Sequence, residues 1–158
     1  MKDVFISPTK GKLSFERMFD DLVAYINEEP DLKCKIIIGT DSHTRDDLCF
    51  VTAIVVHRVG KGARYYYKKR TQRKIASLRQ KIFYETSLSL ATAGKLAELL
   101  ALRGLAKAEV EIHLDVGEKG ETRDLIREVV GMVVGSGFDA RIKPDSYGAS
   151  KVADKHTK

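Results

Sequence analysis

The sequence has only two cysteines, no hydrophobic run long enough to span a membrane and no segment typical of a secretion signal. Cys34 and Cys49 provide no disulfide framework and match no metal-ligand spacing, which excludes a disulfide-built secreted scaffold and a Cys/His zinc site. No apolar run approaches the roughly 20 residues that cross a bilayer. Residues 1–15 lack the apolar stretch and small-residue cleavage site of a signal peptide. We therefore expect a cytoplasmic protein that does not contact membranes.

Acidic residues are absent from one long segment. Between Arg58 and Lys81 the chain has ten Lys or Arg residues and no Asp or Glu, whereas the rest has 18 basic and 22 acidic residues. A local cationic patch of this density suits a polyanion such as nucleic acid, and the tyrosines at 65–67 suit stacking on unpaired bases. The alternative is a solvated basic strand edge that resists aggregation. The acidic residues described below favour nucleic acid.

The hydrophobic pattern predicts one α/β domain over residues 1–158, and the 43% hydrophobic content is sufficient for a core of its own. Two short connections make the first three strands antiparallel, and later helices act as crossovers that place the fourth and fifth strands parallel to the first. We expect a mixed five-stranded sheet flanked by helices, with residues 1–30 as a helical extension. The predicted elements are a helix over Ser14–Glu29, strands over Lys35–Asp41, Cys49–His57 and Arg64–Thr71, a helix over Ala76–Arg103, a strand over Glu109–Asp115, a helix over Glu121–Val134, a strand over Phe138–Lys143 and a helix from Tyr147 onward.

Two aspartates end hydrophobic strands. Asp41 closes the first strand and Asp115 closes the fourth. If these strands are adjacent and parallel, both carboxylates lie at their C-terminal ends, where open α/β sheets bind ligands. Each aspartate alone is better explained as a turn or cap residue, but two at matching strand ends favour a shared site.

Glu85 interrupts the apolar face of the long predicted helix. At about 100° per residue it lies in the middle of the face that should pack on the sheet, whereas Glu98 lies on the opposite side. A glutamate on a core face is seldom unpaired. The alternative is a buried ion pair with a cation of the basic segment, and a metal-site carboxylate explains the placement better.

A fourth carboxylate, Asp154, lies on the polar face of the last predicted helix, next to Lys151. The alternative is a solvated helix terminus, where a carboxylate is electrostatically unfavourable unless a cation lies opposite. Asp145, at the turn before this helix, is the competing candidate. Carboxylates gathered from distant segments repel each other, and a pair of hard divalent cations is the commonest reason for them to meet.

Three motifs carry a resemblance to a known family. The segments IIIGTDS (Ile36–Ser42), HLDVG (His113–Gly117, followed by Glu118) and KPDSYGASKVADKHT (Lys143–Thr157) resemble the YkuK family of uncharacterised ribonuclease-H-like proteins. The resemblance implies a sheet of order 3-2-1-4-5 with strand 2 antiparallel. It also implies catalytic acids at Asp41, Glu85, Asp115 and Asp154. His43 stands where the proofreading exonuclease branch has the second acid of Asp-x-Glu, which argues against an exonuclease.

These observations predict a nuclease that hydrolyses phosphodiester bonds in RNA or DNA with two Mg²⁺ or Mn²⁺ ions. Asp41 would bridge both ions, Glu85 and Asp115 would hold one, and Asp154 would hold the other. His43 and His113 are left outside the ligand set, because a histidine on a strand is more often structural. The residues expected to contact the nucleic acid are Arg64, Lys68, Arg70, Arg73, Lys74 and Lys151.

Two alternatives belong to other classes. One is a catalytically inactive ribonuclease-H-like module that binds nucleic acid or another partner without turnover. The other is an actin-like phosphotransferase, against which the chain length and the lone GTDS segment argue. We also expect that a small basic nuclease of this type forms a homodimer.

Overall fold

The structure is a computed structural model that describes residues 3–44, 47–73, 75, 77–106, 108–146 and 156. Most of the predicted C-terminal helix, including Asp154 and Lys151, therefore lies outside the described residues. Most other elements begin and end within a few residues of their predicted bounds. The elements are β1 (Val4–Ser7), β2 (Gly11–Ser14), α1 (Phe15–Asn27), β3 (Cys34–Thr44), β4 (Leu48–Arg58), β5 (Ala63–Gln72), α2 (Leu78–Leu102), β6 (Glu109–Gly117), a 3₁₀ helix (Glu121–Leu125), α3 (Ile126–Gly135) and β7 (Asp139–Lys143).

The described strands form one mixed sheet in the order β2-β1-β5-β4-β3-β6-β7. Strands β3, β4 and β5 are antiparallel neighbours, whereas β6 and β7 run parallel to β3. The expected count of five strands is wrong, because the sheet has seven. The two additional strands precede α1, so the N-terminal extension is a hairpin followed by a helix.

The N-terminal hairpin lengthens the sheet at the β5 edge. β1 pairs with β2 and, through Ile6 opposite Tyr67, with β5. Gly11 opens β2 with a φ of +74°, a conformation that glycine adopts without steric cost. Each strand has four residues, too few for a period to be recognised in the sequence, but Phe5 is fully buried and ties the hairpin to the core.

Helices α1 and α2 both begin at a serine that caps the first turn. Ser14 accepts a hydrogen bond from the Arg17 amide at 3.2 Å, and Ser77 accepts one from the Gln80 amide at 3.3 Å. Apolar side chains of α1, α2 and α3 pack on one face of the sheet against Ile36, Ile38 and other buried residues. No helix within the described part of the chain is long and apolar enough to cross a membrane.

The opposite face of the sheet carries a smaller apolar cluster built on Val51 and Ala53. Tyr65 and Tyr67 lie beside it, and the His156 ring stacks on Tyr67 with ring centroids 3.8 Å apart. Tyr66 points to the helix-covered face, is fully buried and donates a hydrogen bond to Asp21 at 2.5 Å. The base-stacking interpretation of the tyrosines is therefore wrong for Tyr66, because strand alternation buries it in the core.

Candidate metal centre

Parallel pairing of β3 with β6 brings two strand ends together. The register places Gly39 opposite His113. Asp41 and Asp115 follow these two residues by two positions, so strand alternation points both side chains to the same face. Both aspartates are half-buried. The sheet thus places two carboxylates side by side at the C-terminal ends of parallel strands, as the sequence predicts.

Helix α2 adds a third carboxylate. Glu85 is only 5% exposed and lies on the helix face that packs on the sheet. The Ser42 hydroxyl donates a hydrogen bond to Glu85 Oε2 at 2.5 Å, which aims the carboxylate at the end of β3. One carboxylate oxygen from each of Asp41, Glu85 and Asp115 lies within 4.8 Å of the other two. Three distant segments therefore converge on a space suited to a cation.

The environment disfavours a negative charge on Glu85. Burial raises the pKa of Glu85 well above its ordinary value, and the charges of Asp115 and Asp41 raise it further. The hydrogen bond from Ser42 and the charge of Lys143 act in the opposite direction and lower the pKa. A carboxyl group that pays this desolvation cost beside two other acids is a typical functional-site group.

A network of hydroxyl groups holds α2 on the sheet directly beneath the acids. Thr40 contacts the Ser89 hydroxyl at 2.8 Å and the Thr52 hydroxyl at 3.0 Å. All three side chains are buried. Because Ser89 is one helical turn from Glu85, these hydrogen bonds fix the position of α2 along β3 and the rotation of α2 about its own axis.

Lys143, which the sequence interpretation did not select, lies next to the acids. Its Nζ is 2.6 Å from Asp115 Oδ1. The ion pair with Asp115 raises the pKa of Lys143, and the charges of Asp41 and Glu85 raise it further. The available signal was topological: Lys143 ends β7, and this strand runs parallel to β6, so its last residue belongs at the same edge as Asp115.

His113 lies on β6, between Asp115 and a group of charged residues centred on buried Glu111. Its Nε2 is 3.2 Å from Glu111 Oε1, and no described residue forms a hydrogen bond with its Nδ1. Burial lowers the pKa of His113, although Glu111 opposes the shift. Glu111 also pairs with Lys35 at 3.3 Å and with Arg141 at 3.8 Å. His43 is half-buried on β3, two residues after Asp41.

The fourth predicted acid, Asp154, lies outside the described residues, as do the predicted nucleic-acid contacts Lys74 and Lys151. Asp145, the competing candidate, is exposed, and its backbone amide donates to the Ile142 carbonyl at 2.8 Å in the turn after β7.

The basic strand β5 divides into two parts. Arg64 pairs with Asp21 at 3.2 Å, and Lys68 pairs with Asp3 at 3.2 Å, so both cations are engaged with the N-terminal segment. Arg70 and Arg73 are exposed. Arg70 lies opposite Phe50 of β4, which lies opposite Ser42 of β3.

This register fixes the position of Arg70 relative to the acids. Two strand spacings separate Arg70 from Ser42, or roughly 10 Å. The exposed arginines therefore lie at the same end of the sheet as the carboxylates. Arg64 lies opposite Val56, six residues back along β5, at the far end of the sheet.

The mixed sheet, the crossover helix that carries Glu85 and the acids at the ends of β3 and β6 define a ribonuclease-H-like protein, and the comparisons agree. The family model described as "Ribonuclease H-like" matches residues 17–158, so the chain belongs to this family. It is also 38% identical, over 98% of its own length and 97% of the relative's, to the "Uncharacterized protein YkuK" of Bacillus subtilis (strain 168). The chain is therefore a YkuK-family ribonuclease-H-like protein. No solved structure matches it.

Proposed function

We propose that this chain is a nuclease that hydrolyses phosphodiester bonds in RNA or DNA and depends on Mg²⁺ or Mn²⁺. The observation that carries the proposal is the convergence of Asp41, Glu85 and Asp115, with one oxygen of each within 4.8 Å of the others. Carboxylate oxygens are the ligands that these hard cations prefer, so the residues present fit such ions. Divalent ions held by these carboxylates would supply activation of a water molecule and stabilisation of the leaving oxygen.

Each part of the site has a distinct task in this proposal. Asp41, Glu85 and Asp115 hold the ions, and Asp154 is proposed as the fourth acid. Ser42 orients Glu85, and the hydroxyl network around Thr40 keeps α2 at a fixed distance from β3. A site held by neighbouring hydrogen bonds and packed helices keeps its geometry as charge develops, which is what efficient catalysis requires.

We propose that the nucleic acid runs from the carboxylates toward the exposed end of β5. Lys69, Arg70 and Arg73 are exposed there, and Arg70 is roughly 10 Å from Ser42 by strand spacing. Positive side chains at this distance suit the phosphates that flank the bond to be cut. Arg64 and Lys68 contribute less, because each already pairs with an aspartate.

The experiment that tests the proposal is a cleavage panel. Purified protein is incubated with labelled single-stranded RNA, single-stranded DNA, duplex DNA, an RNA–DNA hybrid and a branched DNA junction, with Mg²⁺, with Mn²⁺ or with a chelator. We expect metal-dependent cleavage of at least one substrate, and no cleavage by a double variant carrying Asp41→Asn and Asp115→Asn. Cleavage that survives in the double variant, or in chelator, would show that these carboxylates are not the catalytic site.

A second candidate is an inactive module that binds nucleic acid. The observation that favours it is the Lys143–Asp115 ion pair, which supplies a positive charge to the acids without a metal ion. Under this reading the panel shows no cleavage, and salt-sensitive binding is the same in the wild type and the double variant. The expected homodimer is not part of either proposal, because no observation on this chain supports it.

Two further proposals concern the domain organisation and the cellular location of the protein. We propose that residues 1–158 act as one domain, because one sheet joins the N-terminal hairpin to the site strands. We also propose a cytoplasmic location, since both cysteines are free and such thiols are typical of a reducing compartment.

Removing the two exposed arginines is expected to weaken nucleic-acid binding without regard to sequence. A variant carrying Arg70→Ala and Arg73→Ala should lose about tenfold in affinity for single-stranded RNA, and its log–log salt slope should become shallower by about 1.4, because each lost phosphate contact contributes roughly 0.7. Fluorescence anisotropy in chelator, at several salt concentrations, measures both quantities. The matched control carries Arg123→Ala and Arg127→Ala, which remove the same charge from exposed positions beyond β6. Equal losses in both double variants would mean that net charge alone determines binding.

A further inference from the structure

A lysine ammonium pairs with one of the three carboxylates that would hold a divalent ion. Lys143 Nζ lies 2.6 Å from Asp115 Oδ1, and its charge also interacts with Asp41 and Glu85. An ammonium group at this distance offsets the negative charge of Asp115. The same contact engages one of the two carboxylate oxygens of Asp115, a residue of the converging set.

The position of Lys143 is set by the backbone of the neighbouring strand. Lys143 of β7 lies opposite Gly117 of β6, next to an irregularity in the pairing of these two strands. A Cβ atom at position 117 would be 3.0 Å from the Lys143 Cβ, so only glycine permits this close approach without displacing the lysine stem. Lys33, by contrast, pairs with exposed Glu109 at 3.2 Å on the surface.

A cavity that Lys143 itself lines provides space for an alternative position of the ammonium. A cavity of about 360 Å³ is lined by Gly117, Glu118, Lys119, Lys143 and Pro144. This volume is within the range of small-molecule sites and is sufficient for one nucleotide unit. Lys119 provides a second positive charge on its wall. Glu118 contributes one negative charge, so with Lys143 the lining carries a net positive charge, which suits a phosphate and its sugar.

We propose that Lys143 is a displaceable counter-cation that pairs with Asp115 in the metal-free protein, leaves it when a divalent ion binds, and then contacts a substrate phosphate in the adjacent cavity. This inference rests on the proposed metal-dependent nuclease. It assigns one residue two successive partners, a carboxylate and a phosphate, both of which an ammonium binds as a point charge. No covalent step is involved.

The proposal predicts opposite effects on metal binding and on cleavage. Lys143→Met keeps the length and apolar stem of the side chain but removes its charge. We expect Mn²⁺ to bind roughly three- to tenfold more tightly, because the ion no longer competes with an exposed ion pair. Cleavage of the best substrate of the panel should fall, chiefly through a higher KM, because a phosphate contact is lost. Lys143→Arg should keep wild-type metal affinity because it keeps the charge.

Isothermal titration calorimetry with Mn²⁺ is the primary measurement. Lys33→Met is the matched control, because it breaks a surface ion pair on the same sheet and should leave Mn²⁺ affinity unchanged. Tighter binding by Lys143→Met together with unchanged binding by Lys33→Met supports the proposal. Unchanged or weaker Mn²⁺ binding by Lys143→Met overturns it, and Lys143 is then a structural support for Asp115. If Lys143→Met does not fold, Lys143→Gln answers the same question.

The wild-type titration separates this inference from the proposed function. If the wild type binds no Mn²⁺, the metal-dependent nuclease fails and the inference fails with it. If the wild type binds Mn²⁺ and the Lys143→Met affinity does not rise, only the role of Lys143 is overturned.

Discussion

Replacing Asp41 with asparagine is expected to lower metal-dependent cleavage by at least about 100-fold and to remove most of the heat of Mn²⁺ binding. Loss of a residue that only supports a metal ligand typically costs about 10- to 100-fold, and the loss of a ligand itself should cost more. Asparagine keeps the size of the side chain but removes the charge on which cation binding depends. Cleavage rates on the best substrate and calorimetric titration with Mn²⁺ measure the two effects.

Asp31→Asn is the matched control for this substitution. Asp31 is exposed in the loop between α1 and β3, so removing its charge should change neither cleavage nor the heat of binding. Equal Mn²⁺ heats from the wild type and Asp41→Asn would contradict the metal site. A fall in cleavage of the same size in Asp31→Asn would instead indicate a general effect of net charge.

Replacing Glu85 with glutamine is expected to stabilise the metal-free protein while disabling its site. Glu85 is 5% exposed and lies beside two other carboxylates, so its charge is costly in the absence of a cation. Glutamine can still accept the Ser42 hydrogen bond, and it carries no charge. We expect the melting temperature at pH 8 to rise by roughly 3 °C or more, since about 1 kcal/mol corresponds to roughly that shift in a chain of this size.

The pH dependence of stability follows from the direction of the pKa shift. The pKa of Glu85 in the folded protein is raised well above its ordinary value of 4.5, so the folded state holds this proton more tightly than the unfolded state does. The corresponding stability is fully present below pH 4.5 and is lost as the pH rises through the folded-state pKa. The advantage of Glu85→Gln over the wild type in free energy of unfolding should therefore grow as the pH rises from 4.5 to the folded-state pKa, and should be constant above that pKa.

Metal ions should make the wild type more stable than Glu85→Gln, the reverse of the order expected without metal. Mn²⁺ binds only the folded state, so a concentration of about 100 times the dissociation constant adds roughly 2.7 kcal/mol to the wild type and much less to Glu85→Gln. Glu98→Gln, on the exposed side of the same helix, is the control and should have the melting temperature of the wild type both in chelator and with Mn²⁺. Melting curves with chelator and with Mn²⁺ test this. A Glu85→Gln protein less stable than the wild type at pH 8 in chelator would mean that the carboxylate is structural.

Periodicity predicts the positions of the three acids that converge, because it depends on local sequence. Asp41 and Asp115 each end an apolar strand, and Glu85 falls on the buried face of a long helix, so the positions of the three follow from the elements alone. Parallel pairing of β3 and β6 then brings them together. Among the described residues, the side-chain hydrogen bond of Glu85 comes from Ser42 of β3 rather than from the basic segment.

The N-terminal hairpin and Lys143 could not be predicted in the same way. β1 and β2 have four residues each and are stabilised by pairing with β5, which is a long-range contact that no local period encodes. Lys143 joins the acids because β7 pairs with β6 and Gly117 permits a close approach. Likewise, only the tertiary structure distinguishes Arg64, paired with Asp21, from exposed Arg70 in the same basic strand.

The most direct test of the central claim is a crystal structure of the wild type grown with Mn²⁺, with data collected to reveal the anomalous signal of manganese. The account predicts an anomalous peak between the carboxylates of Asp41, Glu85 and Asp115, with Lys143 moved away from Asp115. A structure obtained at a saturating Mn²⁺ concentration with no peak among these three carboxylates would contradict the central claim. A peak with Lys143 still paired to Asp115 would overturn only the role proposed for Lys143.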